Sequence, residues 1–160
     1  MLTPEVKESI GKIGSTRVFK VEEGAIKRFA DAVDDRNPYY WDEEYARKSK
    51  HGSIIAPPGF FGWPTQWARG QTFPITFDAS LDLRPALAQA GYSRTLDGGI
   101  EYEFFLPVRA GDTLFVTSEI KDIVERAGQE SKLVFVITER TYVNQHDDLV
   151  ARARATNIYR

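Results

Sequence analysis

The chain has 160 residues, 42% hydrophobic and 28% charged, with a net charge of −2, the mix of one ordinary globular domain. Its charges are interspersed without a basic stripe, which argues against nucleic acid as a partner. The absence of cysteine excludes disulfides, thiolate metal sites and a cysteine nucleophile, and two histidines, His51 and His146, are too few for a multi-histidine metal centre in one chain.

The opening MLTPEVKESIGKIG carries acidic residues and no apolar run of signal-peptide length. No window approaches about 18 uninterrupted apolar residues, so a cytoplasmic protein with no membrane partner is expected. TRVFKV (16–21) reads as a short strand from its β-branched and aromatic content. EEGAIKRFADAVDD (22–35) follows, with Ile26, Phe29, Ala30 and Val33 on one helical face, Glu22 and Glu23 at the positive end of the dipole, and Pro38 as the stop.

Asp42 is placed to cap a second short helix, EEYARKSK. In HGSIIAPPGFFGWPTQWARG, Pro57 and Pro58 suit a turn into a buried helix rich in aromatics: Phe60, Phe61, Trp63 and Trp67. Residues 71–98 are the least legible, although LRPALAQAG suggests a helical turn or two closed by Gly91. After Gly98-Gly99 the pattern changes. IEYEFFLPV, DTLFVTSEIKDIVER, SKLVFVITERTYVNQ and DLVARARATNIYR read as four strands separated by polar, glycine-bearing or acidic turns. The last alternates Ala151, Ala153 and Ala155 with Arg152, Arg154 and Thr156, and its small-residue face leaves room for a helix. Helices followed by long antiparallel strands make an α+β domain, with a sheet edge that dimerisation would protect.

FADAVDDRNPYYWDEEYA followed by GSIIAPPGF resembles the substrate-binding segment of MaoC-like dehydratases, the (R)-specific enoyl-CoA hydratases of the hot-dog fold. GGIEYEFFLPVRAGDTLFVTSEI and RTYVNQHDDLVARARATNIYR resemble later strands of their FAS1-type dehydratase N-terminal branch. The resemblance spans about residue 10 to residue 160. It implies a single α+β hot-dog domain over residues 1–160, with an antiparallel sheet wrapped around a long central helix, and pairing as a homodimer or as a heterodimer with a second MaoC-like subunit. It also implies reversible hydration of a 2-enoyl thioester carried by CoA or acyl carrier protein, with no cofactor and no metal.

The family's Asp-x-Asn-Pro-x-His motif falls on Asp35, Asn37 and Pro38, with Tyr40 in the histidine's place. The resemblance thus implies Asp35 and Tyr40 as the catalytic pair and Asn37, Pro58, Gly59 and Phe60 as substrate-binding residues. Two departures weigh against full activity. A phenol titrates near 10 and an imidazole near 6.5, so ionising an unperturbed Tyr40 at neutral pH costs about 4 kcal/mol. Pro58 stands where the family has a glycine whose N–H polarises the thioester carbonyl, and proline has no N–H; Gly59 follows it. The chain therefore reads as a hydratase or dehydratase subunit that depends on a second, catalytic hot-dog chain. The alternative is a non-catalytic acyl-CoA-binding or scaffold protein, and a minor one is a thioesterase. His51 and His146 read as solvent-facing, and the Arg109–Asp112 turn as a strand connection. Arg152 and Arg154 read either as a CoA phosphate contact or as a solvated face.

Overall fold

A computed structural model of the chain describes residues 2–60, 79–128 and 132–160. A short helix absent from the sequence reading, α1 (Pro4–Glu8), starts at the Thr3 cap, whose hydroxyl accepts from Val6 N, with proline in its first turn. The strand β1 (Arg17–Lys20) and the helix α2 (Glu23–Ala32) follow. α2 ends earlier than its predicted stop at Pro38. Asp34 takes the left-handed conformation with φ 52°, and Asp34 N and Asp35 N donate to the carbonyls of Asp31 and Ala30. That is a Schellman ending, which satisfies the last carbonyls before proline is reached.

A 3-10 turn (Pro38–Tyr40) leads to α3 (Glu43–Lys48), capped as expected by Asp42, whose Oδ1 accepts from Tyr45 N at 2.9 Å. After a 3-10 turn at Ala79–Leu81, α4 (Arg84–Gln89) closes with another Schellman ending at Gly91, φ 95°. The predicted aromatic helix begins at Phe60, and Phe61, Trp63 and Trp67 lie outside the described residues.

The remaining strands are β2 (Thr95–Phe104), β3 (Thr113–Ala127), β4 (Lys132–Val143) and β5 (Leu149–Tyr159). With β1 they form one five-stranded antiparallel sheet in the order β1-β3-β4-β5-β2. β2 runs through Gly98-Gly99, where the sequence suggested a break. The register shifts between Asp97 and Ile100, and a Cβ on Gly98 would lie 2.9 Å from the Thr156 carbonyl oxygen. A bulge at a glycine that cannot carry a side chain keeps the strand paired.

One face of the sheet is covered. Ala151, Ala153 and Ala155 are buried on it, as their alternation predicted, while Arg152 and Arg154 lie on the opposite face. Two apolar clusters share the covered face. One gathers Phe19, Ile26, Tyr40, Phe60, Leu114 and Tyr142; the other lies under α1 and α4 with Val6, Leu87, Ile120 and Val134. Each such side chain contributes about 1.5–3 kcal/mol on burial. The first cluster holds the end of α2 and the turn after it, which carries the candidate site.

Candidate active site

The left-handed Asp34 turns the chain so that Asp35 begins a self-closing bend. Asp35 Oδ1 accepts from Asn37 N at 3.1 Å, and Asn37 Oδ1 accepts from Tyr39 N at 3.2 Å. These are two successive Asx turns, the local bond for which Asp and Asn are chosen in such positions. Pro38 fixes the start of the 3-10 turn, Tyr40 N donates to Asn37 O, and Trp41 Nε1 donates to Asp35 O at 2.9 Å. Asn37 is exposed, Asp35 is half-buried, and Tyr40 is only 7% exposed. The bend therefore drives one side chain inward, and that side chain is Tyr40.

Burial raises the Tyr40 pKa above 10, and the negative charge of Asp35 raises it further. Both causes favour the neutral phenol. At neutral pH Tyr40 is a proton donor beside a carboxylate, and it cannot serve as the base. A carboxylate has acceptor sites on both oxygens, so the one side-chain bond it makes among the described residues, to Asn37 N, leaves Asp35 able to hold a water or a hydroxyl.

Tyr40 forms part of the wall of a cavity of about 340 Å³. Ile55, Ala56, Pro57 and Pro58 form a second wall, and the segment Phe104–Val108 a third. The walls are joined by main-chain bonds: Ile55 N to Tyr39 O, Ala56 N to Val108 O at 2.8 Å and Ala110 N to Ile54 O. The volume is at the small end of ligand pockets, and an apolar lining with one or two polar groups is their usual character. Pro58 is in the wall. Gly59 adopts φ +87°, a conformation that L side chains rarely take, and Phe60 N donates to Pro57 O. Among the described residues the Gly59 N–H is thus the main-chain donor left beside Pro58. Phe60 itself is fully buried, edge-on to Phe29 at 5.9 Å, and supports the wall from behind.

Of the six residues implied by the resemblance, Tyr40 and Pro58 face the cavity. Asp35 and Asn37 build the bend that places Tyr40, Gly59 adjoins the wall, and Phe60 packs behind it. His51 is partly exposed and lies edge-on to Tyr39 at 5.0 Å. Desolvation lowers its pKa, with help from the charges of Lys50 and Arg109, so it is neutral at pH 7. Among the described residues no hydrogen bond joins it to Asp35.

His146 is exposed in the β4–β5 turn. Arg109 and Asp112 tie the β2–β3 connection: Asp112 Oδ2 accepts from Arg109 N, and Arg109 Nη1 donates to His51 O at 2.6 Å. Arg154 lies between Glu101 and Glu139 in register, and Arg152 opposite Glu103, as on a solvated face. Among the described residues no group of three His, Asp or Glu side chains could hold a metal ion. Sequence reasoning passed over Arg140, which shares the covered face with Tyr142. Its parity in β4 was the available signal, since every second residue of a strand faces the same way.

The chain matches the FAS1-like dehydratase domain region over residues 9–153. A UPF0336 protein of Streptomyces coelicolor is 39% identical over 115 residues, 72% of this chain and 70% of that protein. A Thermomonospora curvata protein named "Probable enoyl-CoA hydratase alpha subunit" is 28% identical over 132 residues, 81% of this chain and 41% of that protein. Among solved structures, the ChsH1-ChsH2 complex from Mycobacterium tuberculosis superposes with a TM-score of 0.79 at 22% identity, covering 96% of this chain and 86% of that one. The C-terminally truncated HadBC (3R-hydroxyacyl-ACP dehydratase) complex from the same organism gives 0.69 at 23% identity, covering 99% of each chain.

Proposed function

The chain belongs to the FAS1-like dehydratase family, a branch of the MaoC-like hot-dog proteins, and from that premise we propose that it is one subunit of an acyl-thioester hydratase or dehydratase. The substrate is a 2-enoyl or 3-hydroxyacyl group on CoA, with acyl carrier protein as the alternative carrier. The observation that carries the reading is the double Asx bend from Asp35, which buries a neutral Tyr40 in the wall of an apolar cavity.

Hydration adds a hydroxyl to C3 of the enoyl group and a proton to C2; dehydration reverses both. In this reading the Asp35 carboxylate accepts a hydrogen bond from the water, and the Tyr40 phenol donates one. The phenol stands where the family has an imidazole. Because burial and Asp35 both hold it protonated, it orients water without taking its proton, and the base comes from a second hot-dog subunit. The names of two similar structures, both complexes of two different chains, support a partner. So does β2, a ten-residue edge strand that exposes Leu96, Ile100 and Phe104.

The test is hydration of a short 2-enoyl-CoA, followed by loss of enoyl absorbance. The purified chain alone is compared with the chain co-expressed with hot-dog proteins of its own host, with Asp35→Asn as control. We expect turnover only in the mixture, reduced about 10²-fold or more by Asp35→Asn. A homodimer fully active alone overturns the half-site. One observation favours a second reading: Tyr40 is a poor base and Pro58 offers no N–H, which suits a binding protein without chemistry. Thioester binding with no turnover in any mixture is its signature.

A further inference from the structure

Beyond the cavity wall, the covered face of the sheet carries a polar row. Register pairs Arg140 of β4 with Ala153 of β5, and Ala153 with Tyr102 of β2. The next row toward the cavity pairs Tyr142 with Ala151 and Ala151 with Phe104, a residue of the cavity wall. The two rows are two residues apart along the strands, about 7 Å. The rings of Tyr102 and Phe104 stack at 5.7 Å and 17°, so one aromatic surface runs from the cavity to Arg140.

Arg140 is an unusual group to find there. It is half-buried, and its Nε is buried with no acceptor. Among the described residues no carboxylate pairs with its guanidinium; Glu139, its neighbour in sequence, points to the other face toward Lys121. Burial raises the pKa of Tyr102 and of Tyr142, and the Arg140 charge opposes the rise in both. The charge therefore sits within reach of two neutral phenols. A guanidinium has only donors, and the Tyr142 phenol beside it offers only a neutral oxygen to accept from it. Among the described residues the row holds no anionic acceptor. A purely hydrocarbon acyl chain laid against it would desolvate the cation further without compensation.

We propose that Arg140, with Tyr102 beside it, selects thioesters whose acyl chain carries a carboxylate at its far end. The inference rests on the acyl-thioester reading above and names the substrate class of the same site. A carboxylate accepts two parallel N–H bonds from a guanidinium, the strongest neutral-pH pairing open to this row. The Arg140 row lies about 7 Å beyond the Phe104 row of the cavity wall, a span that an acyl chain of several carbons covers.

Isothermal titration calorimetry of the purified protein with adipyl-CoA and hexanoyl-CoA tests this without requiring turnover, since both thioesters are saturated. The wild type should bind adipyl-CoA at least about tenfold more tightly. Arg140→Gln should bring the two dissociation constants together, and Arg140→Lys should keep part of the preference, because the charge stays while the planar fork is lost. Equal binding of both thioesters by the wild type overturns the role of Arg140 and leaves the thioester reading standing. Binding of neither overturns both. A preference that survives Arg140→Gln also overturns it. If Arg140→Gln fails to fold, the wild-type comparison and Arg140→Lys still decide.

Discussion

At the scale of single residues, the site turns on which group at position 40 can exchange a proton. The local chain is built for a side chain that enters the protein: Asp34 in the left-handed region, then the Asx turns of Asp35 and Asn37. This architecture depends on short acceptor side chains at 35 and 37, so it is indifferent to whether residue 40 is a phenol or an imidazole. The phenol is held protonated by burial first and by Asp35 second. Ionising it at neutral pH therefore costs more than the roughly 4 kcal/mol of an unperturbed tyrosine. An unperturbed imidazole titrates near 6.5; in the same place burial would lower its pKa and the Asp35 charge would raise it, and on either balance it accepts a proton far more readily than the phenol. Tyr40→His should accordingly raise the hydration rate of the chain measured alone by about 10² or more, with an acid limb in the pH–rate profile near the histidine pKa. The measurement is kcat/KM for a short 2-enoyl-CoA between about pH 5 and pH 9. A silent Tyr40→His variant with an intact thermal transition would mean that the missing base is not what limits this chain, and attention would move to the carbonyl donor beside Pro58.

At the scale of elements, the helices and strands were legible where local chemistry fixes them. Asp42 and Gly91 marked a helix start and a helix end, and the Ala-Arg alternation of β5 gave the buried face. Misreadings came where a tertiary contact decides. Gly98-Gly99 read as a break because its reason for being glycine, the Thr156 carbonyl, lies in another strand. The cavity walls were not legible either: Ile55 meets Arg109 through an isolated bridge between segments far apart in sequence. α4 is held to the sheet by another such contact. Tyr92, just beyond its end, donates to Glu125 Oε2 at 2.8 Å, and Lys132 Nζ lies 2.7 Å from Oε1. The Lys132 bond first and the Tyr92 bond second hold the Glu125 carboxyl down to about 2, from 4.5. A depressed carboxyl contributes stability above its unfolded pKa, and that contribution fades as pH falls from about 4.5 to about 2. The melting temperature of the wild type should exceed that of Glu125→Gln at neutral pH and converge with it by about pH 2, with added salt narrowing the gap. A difference independent of pH would show that Glu125 acts by packing and not by charge.

At the scale of the whole molecule, the sheet has two unequal edges. β1 is four residues long, and the chain before it continues along β3 through the Ile13–Glu119 bridge. β2 is ten residues long, pairs among the described residues with β5 alone, and leaves Leu96 and Ile100 more than 40% exposed. A long edge with apolar side chains recruits other strands unless something covers it. In the proposed reading the second subunit covers it and supplies the base. On that proposal the incomplete site and the exposed edge have one cause. Leu96→Lys with Ile100→Lys separates the edge from the fold. Both positions are exposed in the single chain, so each substitution should change its stability by no more than about 0.5 kcal/mol. Burying two lysines in an edge-to-edge contact desolvates them without a partner charge, so the sedimenting mass of the co-expressed complex should fall to that of separate chains. Hydratase activity of the mixture should disappear with it, although neither residue lines the cavity. If the complex keeps its mass, the partner docks elsewhere. The exposed pair Val18 and Phe115, in register across β1 and β3, is then the next surface to charge.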